Sequence, residues 1–283
     1  MSKRICLITG ATSGIGKATA YELSKKNYEL ILIGRNEEKC KKVVNELNRK
    51  NTSSDVKYYV TDISLIKEVK KLCERLKNDY QRIDVLINNA GARFLQHQLT
   101  SEGIELTLAT NHLGHFVLTN ELLPLLKNSD DARIINVSSA AHGGGKGLIE
   151  NISDSSSYDG RLQYSNSKLA NVLFTYELAE RLSNHKIGVF AVDPGGVATN
   201  FARNNGLKFW IKHLVYYLLK RQLITPKQAA QTIVYLANSI EVKGQTAKYF
   251  FDMKEKKSSQ LSYDKSLQKN LWEMSEELVK GIK

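Results

Sequence analysis

Tyr164 and Lys168, in the run Tyr164-Ser165-Asn166-Ser167-Lys168, are spaced to share one face of a helix, one turn apart. A phenol ionises near pH ~10 and is a poor base at neutrality. A neighbouring ammonium stabilises the phenolate, and each unit of lowering corresponds to about 1.4 kcal/mol. The pair therefore has the chemistry of a general acid/base working on a hydroxyl or carbonyl oxygen. Tyr/Lys pairs at this spacing are common, so the weight comes from what accompanies them. Ser138-Ser139 ends one apolar run, Asn88-Asn89-Ala90-Gly91 ends an earlier one, and Asp193-Pro194-Gly195 ends a later one. Asn111, in Thr110-Asn111-His112-Leu113-Gly114, is a polar residue inside a long helical stretch, and the Gly that follows signals a local irregularity.

A second chemistry lies at the start of the chain. The first apolar run leads directly into Thr9-Gly10-Ala11-Thr12-Ser13-Gly14-Ile15-Gly16, and a helical pattern follows. A glycine-rich turn between a strand and a helix lets the backbone approach a pyrophosphate, which the helix N–H groups and dipole then hold. A carboxylate at the end of the second strand would bind a ribose 2′-hydroxyl and select NAD. The sequence there is Leu32-Ile33-Gly34-Arg35-Asn36, with a cation in that place. Arg35, with Lys17 after the glycine turn, suits a 2′-phosphate and hence NADP(H). Asp62, in Thr61-Asp62-Ile63, is placed to accept from an adenine amino group; taken alone it equally fits a carboxylate near a helix start.

These residues need a scaffold that gathers strand ends. β-Branched apolar runs at 5–9, 30–33, 56–60, 83–88, 133–138, 187–192 and 248–251 predict strands. Helical patterns fill about 15–26, 36–50, 65–78, 103–127, 161–183, 227–238 and 265–280. The strand runs are nearly continuous apolar stretches, as expected of strands covered on both sides. The alternation predicts an α/β fold: a single-domain Rossmann-type doubly wound parallel sheet with helices on both faces. In such sheets ligands bind at the carboxyl ends of the strands, where the residues above fall. With 283 residues, 42% of them hydrophobic, the chain can bury a core without metal or disulfide staples. Segment 151–160 is Ser/Asp-rich and reads as a surface loop; 201–223 is aromatic and basic and reads as a ligand-covering insertion, about 200–224.

Forty-one Lys+Arg against 29 Asp+Glu leave a net charge of +12, which favours anionic partners. Nucleic acid is set aside, because no recognised module or interleaved basic and aromatic strand appears outside 201–223. Cys6, Cys40 and Cys73 are widely spaced, without a Cys-x-x-Cys pair, and read as reduced thiols. The first apolar run is too short for a secretory leader, and no stretch reaches the ~18 apolar residues of a spanning helix. The expectation is a cytoplasmic protein. From Pro194 to Ile240 there is no Asp or Glu. Wound as a helix, 201–223 gathers Leu207, Trp210, Ile211, Leu214, Tyr217 and Leu218 on one side, with Lys208, Lys212, His213 and Lys220 on the other. Such a helix fits a lid with a solvated basic face, or one resting peripherally on anionic lipid.

The chain resembles the short-chain dehydrogenase/reductase superfamily over essentially its whole length. More narrowly it resembles the retinol dehydrogenase branch, on Asn111-His112-Leu113-Gly114-His115-Phe116, on 167–174, on Lys248-Tyr249-Phe250 before a basic run, and on Leu271-Trp272-Glu273. The resemblance implies that Tyr164 is the general acid/base, that Lys168 lowers its pKa and holds the nicotinamide ribose, and that Ser139 rather than Ser138 hydrogen-bonds the substrate oxygen. Asn111 would organise a water-linked proton route to Lys168. The cofactor would meet Gly10, Thr12, Ser13, Gly14, Ile15 and Gly16 in the turn, Arg35 and Asn36 after strand two, and Asp62 and Ile63 after strand three. Asn89, Ala90 and Gly91 would contact it, and Pro194, Gly195, Val197 and Thr199 would flank the nicotinamide. The implied activity is NADPH-dependent hydride transfer with a small apolar aldehyde, ketone or alcohol, in a homodimer or homotetramer. Two departures are a start almost at the glycine strand, without an N-terminal hydrophobic anchor, and a second glycine, Gly196, after Pro194.

Other residues invite readings that the pattern does not favour. His112 and His115, three apart, lack the Glu of a zincin motif and read as structural histidines. His142, three residues after Ser139, reads as a loop histidine near the substrate cavity. The competing function is a non-catalytic NADP(H)-sensing or partner-binding protein on the same fold; it would lack part of the tetrad Asn111, Ser139, Tyr164 and Lys168, which this chain keeps whole.

Overall fold

Strand β1 (Arg4–Thr9) carries Leu7 toward one face of a sheet and Cys6 and Ile8 toward the other, all fully buried. The computed structural model describes residues 3–50, 55–146, 157–197, 206 and 223–282. From β1 the chain alternates through α1 (Gly14–Ser24), β2 (Tyr28–Gly34), α2 (Glu37–Lys50), β3 (Val56–Val60), α3 (Ile66–Asp79) and β4 (Val85–Asn88). A turn of α-helix at Leu106–Leu108 and a π-helical stretch, Ala109–Leu113, then lead into α4 (Gly114–Lys127). Strand β5 (Ala132–Val137), a 3-10 turn at Ala140–Gly144, α5 (Gly160–Arg181) and β6 (Ile187–Asp193) follow. The described chain ends through α6 (Pro226–Asn238), β7 (Lys248–Phe251), β8 (Lys254–Glu255) and α7 (Lys265–Lys280).

The sheet order is β3-β2-β1-β4-β5-β6-β7-β8. Pairing is parallel through β7. The chain reverses direction across the sheet between β1 and β4, which opens a crevice at their carboxyl ends. One face is covered by α3, α4 and α5, through Val69, Leu76, Phe116, Leu122, Phe174 and Leu178. The other is covered by α1, α2 and α6, through Ala20, Leu23, Val43, Leu47, Ile233 and Leu236. The doubly wound α/β expectation therefore holds, with one amendment. β8 pairs antiparallel with β7, through a turn in which Asp252 and Met253 take φ of 50° and 58°. Two residues are too few to carry a periodic signal.

Gly160 opens α5 instead of closing a loop, because the Asp159 carboxylate accepts from Arg161 N and Leu162 N and caps the helix. The remainder of that loop at 151–156, Thr199, and the insertion at 201–223 apart from Gly206 and Leu223 lie outside the described residues. Leu169, Val172, Leu173 and Phe174 of α5 are all buried within the chain, Leu169 and Leu173 against Leu267 and Leu271 of α7. They are core residues. Among the described residues no helix is long and apolar enough to cross a membrane.

Candidate functional site

A cleft of about 1170 Å³ runs along the carboxyl ends of the strands. That is larger than an ordinary small-molecule pocket. Its first end is the turn after β1. Gly10 takes φ +65°, and a Cβ there would lie 2.9 Å from Ala90 Cα and 3.0 Å from Asn89 Nδ2. A Cβ on Gly16 would overlap the Gly10 carbonyl oxygen. Only glycine lets the turn close this tightly, so its backbone rather than side chains faces the cleft, as a pyrophosphate requires. Thr12, Ser13, Gly14 and Ile15 line the same end.

Thr9, just before the turn, joins two strand ends. Its Oγ1 accepts from Asn89 N and Ala90 N, each at 2.9 Å, while Asn89 Nδ2 donates back to Thr9 O at 2.8 Å. The same hydroxyl lies 2.9 Å from His115 Nε2. His115 Nδ1 is 3.2 Å from the Asn111 carbonyl oxygen, which can only accept, so Nδ1 carries the proton and Thr9 donates to Nε2. Burial pushes His115 down to about 3, which keeps it neutral in this chain of bonds. His112 is likewise buried, bonded through Nε2 to Ser275 Oγ at 2.8 Å and pushed down to about 4.

The adjoining wall of the cleft holds Arg35, Lys39, Thr61, Asp62 and Ile63. Lys17 is not among the lining residues. It points along α1 to α2, where it pairs with Glu46 at 2.6 Å. Its nearness in sequence to the glycine turn misled; Lys39, one turn into α2, is the second cation there. Asn36 is also not a lining residue: its Oδ1 accepts from Lys39 N at 2.9 Å and caps α2. Asp62 Oδ1 accepts from Ser64 N and Ser64 Oγ, which fixes the carboxylate at the cleft edge.

At the other end, β5 and α5 bring the acid/base candidates together. Lys168 is buried and donates from Nζ to Val137 O at 2.9 Å; burial lowers its pKa from 10.5 to about 8. Its Nζ lies 5.8 Å from the Tyr164 ring centre. A Cβ on Gly91 would be 3.3 Å from Lys168 Nζ and 3.4 Å from Asn111 Oδ1, so all three converge. Asn111 sits in the π-helical stretch, the irregularity expected there. Its Oδ1 accepts from Ala92 N, and its Nδ2 donates to Ala92 O and Ser167 Oγ. It lies just behind the lining.

The two serines, just past β5, separate by what their hydroxyls bond. Both line the cleft, but Ser138 is buried and donates to Lys168 O at 2.7 Å, whereas Ser139 accepts only from Ala141 N among the described residues. Ser139 thus keeps its hydroxyl proton for a ligand. Asp193 Oδ1 accepts from Gly195 N, with Gly195 at φ +82°; Pro194, Gly195 and Val197 line the floor. His142 faces away, with Nδ1 on Ser139 O, Nε2 accepting from Ser259 N, and its ring against Tyr249. Sequence reasoning missed Thr9, Lys39, Arg93, Arg161 and Lys256. Thr9 carried a signal, as a lone hydroxyl closing an apolar strand. Arg93 carried one too, as a cation two residues past Gly91.

Comparison with known proteins gives a consistent result. The family model for short chain dehydrogenases matches residues 4–208. The chain is 36% identical over 293 residues to Retinol dehydrogenase 14 of Mus musculus, covering 100% of this chain and 88% of that protein. The solved structure of an uncharacterised protein from Mycobacterium Paratuberculosis superposes with a TM-score of 0.76 at 29% identity, over 99% of this chain and 94% of that one. An actinorhodin polyketide ketoreductase variant solved with NADPH gives a TM-score of 0.69 at 26% identity, over 88% and 95%.

Proposed function

The chain belongs to the short chain dehydrogenase family, in its retinol dehydrogenase branch, and on that premise we propose that it is an NADP(H)-dependent oxidoreductase acting on an aldehyde or ketone, or the corresponding alcohol, with a largely apolar body. One observation carries the reading: Ser139, Tyr164 and Lys168 meet at one end of a cleft whose other end is a turn that only glycine can form. When bound, the nicotinamide supplies or takes up the hydride.

The chain's own residues do the rest. In reduction, the Tyr164 hydroxyl gives its proton to the carbonyl oxygen; in oxidation it takes that proton back from the alcohol. The Lys168 ammonium stabilises the phenolate left in the first direction and needed in the second. Ser139 donates to the same substrate oxygen and holds it at Tyr164. Asn111, held by Ala92 and Ser167, organises a water-linked proton route to Lys168. Gly10 to Gly16 hold the pyrophosphate, and Arg35 with Lys39 favours a 2′-phosphate. The NADPH complex of the ketoreductase relative supports that preference. The proposed setting is cytoplasmic, as a homodimer or homotetramer, with the basic segment 201–223 as lid or peripheral contact to anionic lipid.

The test is NADPH oxidation by purified protein against a panel of aldehydes, ketones and quinones. Saturable turnover of one carbonyl class supports the reading. No turnover across the panel, with NADPH bound, overturns it.

A further inference from the structure

His142 is a buried group to which the proposed reaction gives no task. It is 6% exposed, lies outside the cleft lining, and bonds backbone groups of two segments that border the cleft. The Ser139 carbonyl oxygen is 2.7 Å from His142 Nδ1 and can only accept, so Nδ1 carries the ring proton. The Ser259 N–H is 2.9 Å from Nε2 and can only donate, so Nε2 is bare. One neutral tautomer satisfies both partners. Burial lowers the His142 pKa and so favours that neutral ring.

Each partner belongs to a different wall. Ser139 starts the 3-10 turn at Ala140–Gly144, and the turn directs its hydroxyl: Ser139 Oγ accepts from Ala141 N at 3.2 Å, and Ser139 O accepts from His142 N at 3.0 Å as well as from Nδ1. Ser259 lies three residues past Lys256, which lines the cleft, and starts a second 3-10 turn at Gln260–Tyr263. That stretch is also tied to α5, through Ser258 Oγ at 2.7 Å from Tyr176 Oη and 2.6 Å from Ser262 Oγ. Ring packing alone does not call for a histidine. The imidazole lies 4.9 Å from the Tyr249 ring, a contact that phenylalanine would also make, but an apolar ring would leave the Ser259 N–H facing carbon.

We propose that His142 is a positioning residue: it fixes Ser139, which meets the substrate oxygen, against the segment after β8, whose Lys256 borders the substrate body. This rests on the oxidoreductase reading above. A rigid ring with its donor and its acceptor on separate edges sets the spacing between the two walls, so the serine hydroxyl and the bound substrate stay in register. Misplacement of a group that holds the reacting oxygen slows turnover even where every catalytic side chain is present.

Two substitutions separate the two ends. Asn carries its amide nitrogen two bonds from Cβ, in the place of Nδ1, and keeps the bond to Ser139 O. Gln carries its amide oxygen three bonds from Cβ, in the place of Nε2, and keeps an acceptor for Ser259 N. The measurements are kcat and KM for decanal at saturating NADPH, and hydrogen exchange by mass spectrometry over 139–145 and 257–263. NADPH affinity, carried by the glycine turn, is the folding control. His142→Gln should lower kcat by about three- to ten-fold, the effect of one hydrogen bond, leave KM within about two-fold, and speed exchange over 139–145. His142→Asn should raise KM by a similar factor, keep kcat, and speed exchange over 257–263. Ser259→Pro removes the N–H at a φ of −63°, which proline adopts; it should match His142→Asn, and it keeps the test open if a His142 variant fails to fold. Variants that share one profile, or that exchange faster at the opposite segment, overturn the proposal and leave His142 as a packing residue. If wild type does not turn decanal over, the oxidoreductase reading fails for that substrate, and exchange alone decides the proposal by the same criterion.

Discussion

Thr9→Val tests the junction on which the whole cleft depends. The substitution keeps the shape of the side chain and removes the one oxygen that accepts from both Asn89 N and Ala90 N and donates to His115. Thr9 is fully buried, and the new methyl group fills the place where a replacement water would sit. A buried donor or acceptor left without a partner costs about 1–3 kcal/mol. Asn89 N keeps a second acceptor, Ile87 O at 3.0 Å, so the groups stranded are Ala90 N, half-buried and in the lower part of that range, and the buried His115 Nε2. The sum is about 2–4 kcal/mol. At ~2–4 °C per kcal/mol for a chain somewhat smaller than this one, that corresponds to a fall in Tm of about 5–15 °C. Urea unfolding followed by circular dichroism gives the stability, and NADPH fluorescence titration gives the cofactor affinity, which should weaken because Asn89 and Ala90 line the cleft. Thr9→Ser keeps the oxygen, removes one methyl group and should recover most of both. A Thr9→Val protein within about 0.5 kcal/mol of wild type, with unchanged NADPH affinity, would refute the reasoning.

Three further outcomes follow from the site. Wild type should prefer NADPH to NADH by about ten-fold or more in kcat/KM, and Arg35→Ala with Lys39→Ala should remove that preference while sparing NADH; equal efficiencies in wild type would show that neither cation reaches the 2′-phosphate. Lys168→Met should lose turnover yet unfold at the same or a higher urea concentration, because burial holds the Lys168 pKa near 8 and removing that charge relieves a cost of about 3 kcal/mol, offset by the lost bond to Val137 O; a large destabilisation would contradict this. His112 and His115 sit near 4 and 3 in the fold against an ordinary 6.5, so the unfolded chain binds the extra protons: their stabilisation is complete above pH 6.5 and is lost as pH falls toward 4 and 3. Urea midpoints should decline across that window, and His112→Gln should flatten the decline; an equally steep variant would rule the histidine out as a source.

The fold was legible because strands β1 to β7 are mostly apolar runs separated by longer stretches of helical pattern, so their types and order could be read within a few residues of their ends; β8, Lys254–Glu255, left no such trace. Glycine spacing after β1 marked the phosphate end, since a backbone that admits no Cβ leaves a trace in residue type. The break at Asn111 was visible as a polar residue inside an otherwise apolar helix, and the structure makes it a π-helical turn. Side-chain direction was less accessible. Lys17 and Lys39 are both cations near the right turns, and only the packing of α1 on α2 sends Lys17 to Glu46. Ser138 and Ser139 differ by one step along the chain, and the choice between them appears once Lys168 O is seen to take the first hydroxyl. The cations at the substrate end come from the ends of β4, α5 and β8, far apart in sequence, so no local pattern announced them.

The most direct measurement is the turnover of Tyr164→Phe beside its affinity for NADPH. The substitution removes the proton-bearing oxygen and leaves the ring, whose centre is 5.7 Å from the Arg93 guanidinium carbon and 5.8 Å from Lys168 Nζ. The account predicts that kcat falls by about 10²–10⁴-fold while NADPH binds nearly as in wild type. A variant that keeps more than about a tenth of wild-type kcat would contradict the assignment of Tyr164 as the acid/base.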